Sequence, residues 1–126
     1  MQKAVLLEPS LVEAEFKPIS YEKRVEPGFI DVYGIDEDGN FVVVEIKRKT
    51  ASRDDALQLA KYVESVRGSV SRNVRGILAA PHMGRGGQKM LATLGLGFKP
   101  LDPRKCAEIL SRPETRKLAE FFEQSQ

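Results

Sequence analysis

The chain is 126 residues long, which suits a single domain able to bury roughly two-thirds of its unfolded surface. Its 41% apolar content excludes extensive disorder, and no apolar run approaches the roughly 20 residues that a membrane span requires. A formal charge of +2 is too small to diagnose nucleic-acid binding, and one cysteine excludes both an intramolecular disulfide framework and a multi-cysteine metal cage.

In chain order, Ile19–Val25 and Phe29–Ile35 read as strands separated by the turn signal Glu26-Pro27-Gly28. Asp36-Glu37-Asp38-Gly39-Asn40 is a strong turn. Phe41–Lys47 is a third strand, and its run Phe41-Val42-Val43-Val44 is apolar on both faces, as in a central strand. A helix follows from Arg53 to Arg67, with Ser52 as N-cap and with Asp54 and Asp55 at the positive end of its dipole. Val74–Ala80 is another buried strand, Gln88–Leu94 a short helix and Gly97–Leu101 a last short strand. Asp102-Pro103 then places a capping carboxylate before a proline at the first helical position, and the tail from Pro113 reads as one more helix. A strand meander followed by helix–strand–helix predicts an α/β domain with a mixed sheet, opening with no long helix before the first strand.

Residues i and i+2 of a strand point to one face, so Glu45 and Lys47 project together. If the turn makes the hairpin symmetric about Asp38, Asp31 lies directly opposite Glu45. Two hard carboxylates, with the carbonyl of Ile46, suit Mg²⁺ or Mn²⁺ and leave positions for waters and a phosphate oxygen. Such an ion lowers the pKa of a bound water and offsets charge developing on phosphorus, while Lys47 positions the attacking water or adds a second cation. The plain alternative is a surface salt-bridge patch; against it, Val42, Val44 and Ile46 mark the strand as central, where unpaired charge is costly. Gln58 and Tyr62, at i and i+4, flank the helical stripe of Leu59, Val63 and Val66. They either lean toward a scissile phosphate or are a polar edge residue beside a core tyrosine.

The ordered set Gly28-Phe29-Ile30-Asp31, Glu45-Ile46-Lys47 and Gln58-x-x-x-Tyr62 resembles the RecB-like branch of the PD-(D/E)xK nuclease superfamily. More closely, the run from Pro9 to Asp102 is similar to the C-terminal catalytic domain of the archaeal NucS/EndoMS endonuclease family. The stretches GFIDVYGIDEDGNFVVVEIKR, NVRGILAAP and GLGFKPLDP carry that likeness. The resemblance implies a restriction-endonuclease-like mixed β-sheet flanked by helices. It also implies Mg²⁺- or Mn²⁺-dependent cleavage of mismatched or branched DNA by a homodimer acting in DNA repair. Asp31, Glu45, Lys47, Gln58 and Tyr62 are the implied catalytic set, with Asp31, Glu45 and Ile46 toward the metal. The sequence departs from the family pattern twice. The family's separate N-terminal domain for DNA binding and dimerisation is not in it, so an excised domain or a stand-alone relative is expected. An acidic residue that the family carries on a helix upstream of the first strand is also unmatched; Glu13, Glu15 and Glu22 are its candidate substitutes.

Arg48, Lys49 and Arg53 follow the proposed catalytic strand, where cations attract a DNA backbone without reading sequence; a solvated loop is the plain reading. The run His82-Met83-Gly84-Arg85-Gly86-Gly87 lacks a phosphate-binding fingerprint and reads as a loop. Cys106 reads as a small buried apolar group of a cytoplasmic protein, because a Cys–His enzyme would have only His82 available. Residues 1–112 are expected to form the nuclease domain and residues 113–126 a tail. Within the tail, Leu118, Phe121 and Phe122 have the spacing of a sliding-clamp-binding peptide, with a packed amphipathic helix as the alternative. A mismatch- or structure-selective endonuclease is the leading function. A Holliday-junction resolvase-like nuclease and a catalytically incomplete DNA-binding module are the rivals.

Overall fold

The acidic turn sets the frame of the sheet. Asp36 Oδ1 accepts from the backbone N–H groups of Asp38 (3.0 Å) and Asn40 (2.9 Å), and Gly39 adopts φ +82, which glycine tolerates without a Cβ clash. Arg75 locks the same carboxylate from a distant strand, its Nη1 lying 2.9 Å from Asp36 Oδ2. The hairpin therefore closes symmetrically, pairing Ile35 with Phe41 and Val32 with Val44.

A computed structural model describes residues 1–26 and 28–113. Strands β1 (Lys17–Val25), β2 (Gly28–Ile35) and β3 (Phe41–Ile46) form an antiparallel meander. Strands β4 (Val74–Ala80) and β5 (Gly97–Pro100) join in parallel, giving the order β1-β2-β3-β4-β5. Helices α2 (Arg53–Arg67) and α3 (Arg85–Thr93) cover one face, where Leu59, Val63 and Leu91 pack with Val43 and Leu78. Helices α1 (Gln2–Leu7) and α4 (Pro103–Ser111) cover the other, where Ala4, Val5, Cys106 and Ile109 pack with Val42, Val44 and Ile77. The valine run of β3 thus feeds both cores in alternation, as expected of a central strand buried on two sides.

Several expected bounds shift, β2 starting one residue early at Gly28 and β5 ending one early at Pro100. β1 starts at Lys17 rather than Ile19, because it is an edge strand and Pro18 costs no ladder bond there. β3 ends at Ile46, although the Lys47 N–H still reaches Ala79 O at 2.9 Å. α3 starts at Arg85, so the expected glycine loop supplies its first turn. A Cβ on Gly87 would lie 2.6 Å from Met83 Cε, and one on Gly86 would lie 2.6 Å from Arg53 Nη2; glycine permits both approaches. The helix before the first strand is short, in keeping with the expectation of no long one, and its Ala4 and Val5 bury an apolar face against the sheet and α4.

Candidate active site

β2 and β3 carry the carboxylates to one end of the sheet. Their ladder ends at Val32 opposite Val44, and Asp31 and Glu45 follow directly beyond that last pair, close enough for their carboxyl groups to interact. Asp31 Oδ2 accepts the Ile46 N–H at 2.7 Å, which fixes its carboxylate against β3. Its backbone carbonyl accepts from Gln2 Nε2 at 2.8 Å, tying α1 to the same point. Glu45 is only 5% exposed. Burial, with the hydrogen bond that its protonated carboxyl donates to Asp31 and the like charge of Asp31, pushes that carboxyl up to about 9.

Lys47 completes the group through a partner that sequence reasoning passed over. Its Nζ lies 3.3 Å from Asp55 Oδ1. Burial works against the ammonium, but Asp55, Glu45 and Asp31 together hold it above the ordinary lysine range. Asp55 is the third residue of α2 and closes a capping box with Ser52, accepting the Ser52 N–H at 2.8 Å. Its carboxyl is buried in part, yet those hydrogen bonds and Lys47 keep it below the usual range. The signal in the sequence is the Ser52-x-x-Asp55 spacing shortly after β3, which reads only as helix capping.

The other predicted residues divide. Gln58 is half-buried on α2, sharing the face of Asp55 at i, i+3. Tyr62 is buried in the α2 core cluster, and its hydroxyl abuts Gly28, where a Cβ would lie 2.8 Å from it. Arg48, Lys49 and Arg53 are exposed, and Arg48 lines a cavity of about 410 Å³ with Asp31, Ile46, Gln2, Lys3 and Glu22. Glu13 pairs with Arg75 near the acidic turn, at the opposite end of β3, Glu15 is exposed, and Glu22 borders the same cavity as Asp31. Cys106 lies in the α1–α4 core with its thiol pushed up by burial, whereas His82 is exposed. Leu118, Phe121 and Phe122 lie outside the described residues.

The family profile of the endonuclease NucS C-terminal domain matches residues 1–121. The chain belongs to this family. Endonuclease NucS of Pyrococcus horikoshii is 38% identical over 122 residues, covering 97% of this chain and 48% of that protein. Its counterpart in Pyrococcus abyssi is 39% identical over 122 residues, with 97% and 48% covered. A crystal structure of a repair endonuclease from Pyrococcus abyssi matches with a TM-score of 0.75 at 42% identity, covering 79% of this chain and 44% of that one. EndoMS in complex with double-stranded DNA matches with a TM-score of 0.74 at 40% identity, covering 79% and 41%. This NucS C-terminal domain therefore spans about half the length of the curated relatives it matches. Its mixed sheet flanked by helices is the fold of those repair endonucleases.

Proposed function

We propose that the chain is the catalytic domain of a DNA repair endonuclease that hydrolyses phosphodiester bonds with a bound Mg²⁺ or Mn²⁺. The observation that carries this reading is the buried carboxyl of Glu45 held against Asp31 at the strand ends. Two carboxylates forced together are a costly arrangement for an apo protein and a favourable one for a hard divalent cation. Among the described residues no three of His, Cys, Asp and Glu gather closely enough to ligate one ion. Two carboxylates, with the Ile46 carbonyl, still fit Mg²⁺, which commonly takes one or two carboxylates and fills its remaining positions with water and phosphate oxygens. When bound, the ion supplies Lewis acidity and an acidified water.

The residues of the chain do the rest. Asp31 and Glu45 bind and orient, and the Ile46 N–H keeps Asp31 turned toward β3. Lys47, kept protonated and steered by Asp55, offers a cation to the attacking water or to the charge growing on the phosphate. Gln58, one turn along α2, is placed to extend that polar edge, with Tyr62 supporting it from the core. Arg48, Lys49 and Arg53 form an exposed cationic rim for the backbone of mismatched or branched duplex. EndoMS, solved with double-stranded DNA, supports duplex as the substrate class. Homodimerisation, cytoplasmic location and a sliding-clamp contact through Leu118, Phe121 and Phe122 complete the reading; truncation after Pro113 with loss of clamp binding tests the last. Asp31→Ala should abolish cleavage of labelled mismatched duplex in Mn²⁺ while the protein stays folded. Wild-type rates in that variant would overturn the site.

A further inference from the structure

Glu22 lies in the middle of β1, between the pairs Tyr21–Val32 and Lys23–Ile30, which places it across from Asp31. Asp31 in turn meets the carboxyl of Glu45 just beyond the last pair of β2 and β3, so three adjacent strands each bring a carboxylate to this end of the sheet. The backbone bends here. Glu22 has φ +50, a left-handed conformation that is unfavourable for a non-glycine residue and persists where the surroundings enforce it. Glycine or asparagine would adopt that backbone more readily, so the bend alone gives no reason for a glutamate. The side chain of Glu22 is exposed and forms no hydrogen bond or ion pair among the described residues. It borders the same cavity as Asp31, together with Gln2, Lys3, Ile46 and Arg48. The α1 side chain that touches Asp31 is the uncharged Gln2, so the negative side chain on this wall comes from β1 instead.

We propose that Glu22 is a positioning residue of the cleavage centre, its carboxylate accepting hydrogen bonds from the water shell of the divalent cation held at Asp31. The inference rests on the metal-dependent reading above. A small hard cation keeps several of its waters, and each such water needs an acceptor. Carboxylates that act through those waters set the orientation of the inner ligands, and losing one typically costs about 10–100-fold in metal affinity. Glu22 therefore stands outside the direct ligand pair while bordering the cavity that Asp31 and Ile46 line.

The test is a Mn²⁺ titration followed by thermal unfolding of the full 126-residue chain, on wild type, Glu22→Gln and Glu22→Asn. Gln keeps the size and Asn suits the left-handed backbone; both lose the charge. Each variant should melt close to wild type without metal and need roughly tenfold more Mn²⁺ for half of the stabilisation. Midpoints equal to wild type in both variants overturn the role of Glu22 and leave the metal site standing. A wild type that gains no stability from Mn²⁺ overturns both. Cleavage of mismatched duplex at saturating Mn²⁺ should recover in Glu22→Gln, whereas a purely structural loss would not be rescued by metal.

Discussion

At Glu45 the chemistry is governed by one proton. An ordinary glutamate titrates at 4.5, but burial and the adjacent Asp31 raise this carboxyl to about 9, with Lys47 pulling weakly the other way and Asp55 adding to the rise. The folded chain thus holds a proton that the unfolded chain releases. The stabilisation is complete below the unfolded value and is lost as pH rises through the folded one. Apo stability should therefore decline between roughly pH 4.5 and 9, while Mn²⁺ affinity rises across the same window because the ion displaces that proton. Glu45→Gln should flatten the decline in denaturant titrations; an unchanged slope would reassign it to another group. Lys47→Ala belongs to the same scale. It should cost at least about 2 kcal/mol of transition-state stabilisation, roughly thirtyfold in single-turnover rate, with little change in DNA affinity. A variant with normal single-turnover cleavage would remove Lys47 from the mechanism.

Among the elements, β4 and α2 pack closely against each other behind β3. Gly76 lets them approach, since a Cβ there would meet Leu96 Cδ2 and Val63 Cγ2, each at 2.7 Å. Gly76→Ala should therefore destabilise by about 1–3 kcal/mol, as overpacking usually does, and lower the melting temperature by several degrees. An unchanged melting temperature would mean that this interface yields more easily than its contacts indicate. The bounds of α2 and β4 were fully legible in sequence, because Ser52, Gly68 and Pro81 punctuate them and the apolar period runs unbroken between. α3 was not, because glycines that usually mark loops here admit Met83 and Arg53 into a helical first turn.

For the whole molecule, a formal charge of +2 carries little steering of its own, so the rim beside the site has to supply it. Arg48→Ala should weaken DNA binding across all sequences and reduce the salt slope by about one. A slope equal to wild type in fluorescence anisotropy would place the footprint elsewhere.

The sequence by itself determined what is encoded within a few residues. The turn residues Asp36 to Asn40 set the hairpin register as far as Val32 and Val44, and that register, with the two-residue period of β3, is what points Asp31, Glu45 and Lys47 toward one end of the sheet. Tertiary structure alone decided the rest: β4 set parallel against β3, Asp55 carried to Lys47, Gln2 tied to Asp31, and Glu22 brought level with both carboxylates. Turn chemistry and side-chain period act locally, where a handful of dihedrals decides the outcome. Which distant groups meet, and how dry Glu45 becomes, depends on two cores closing over the sheet from opposite faces, and no local pattern records that closure.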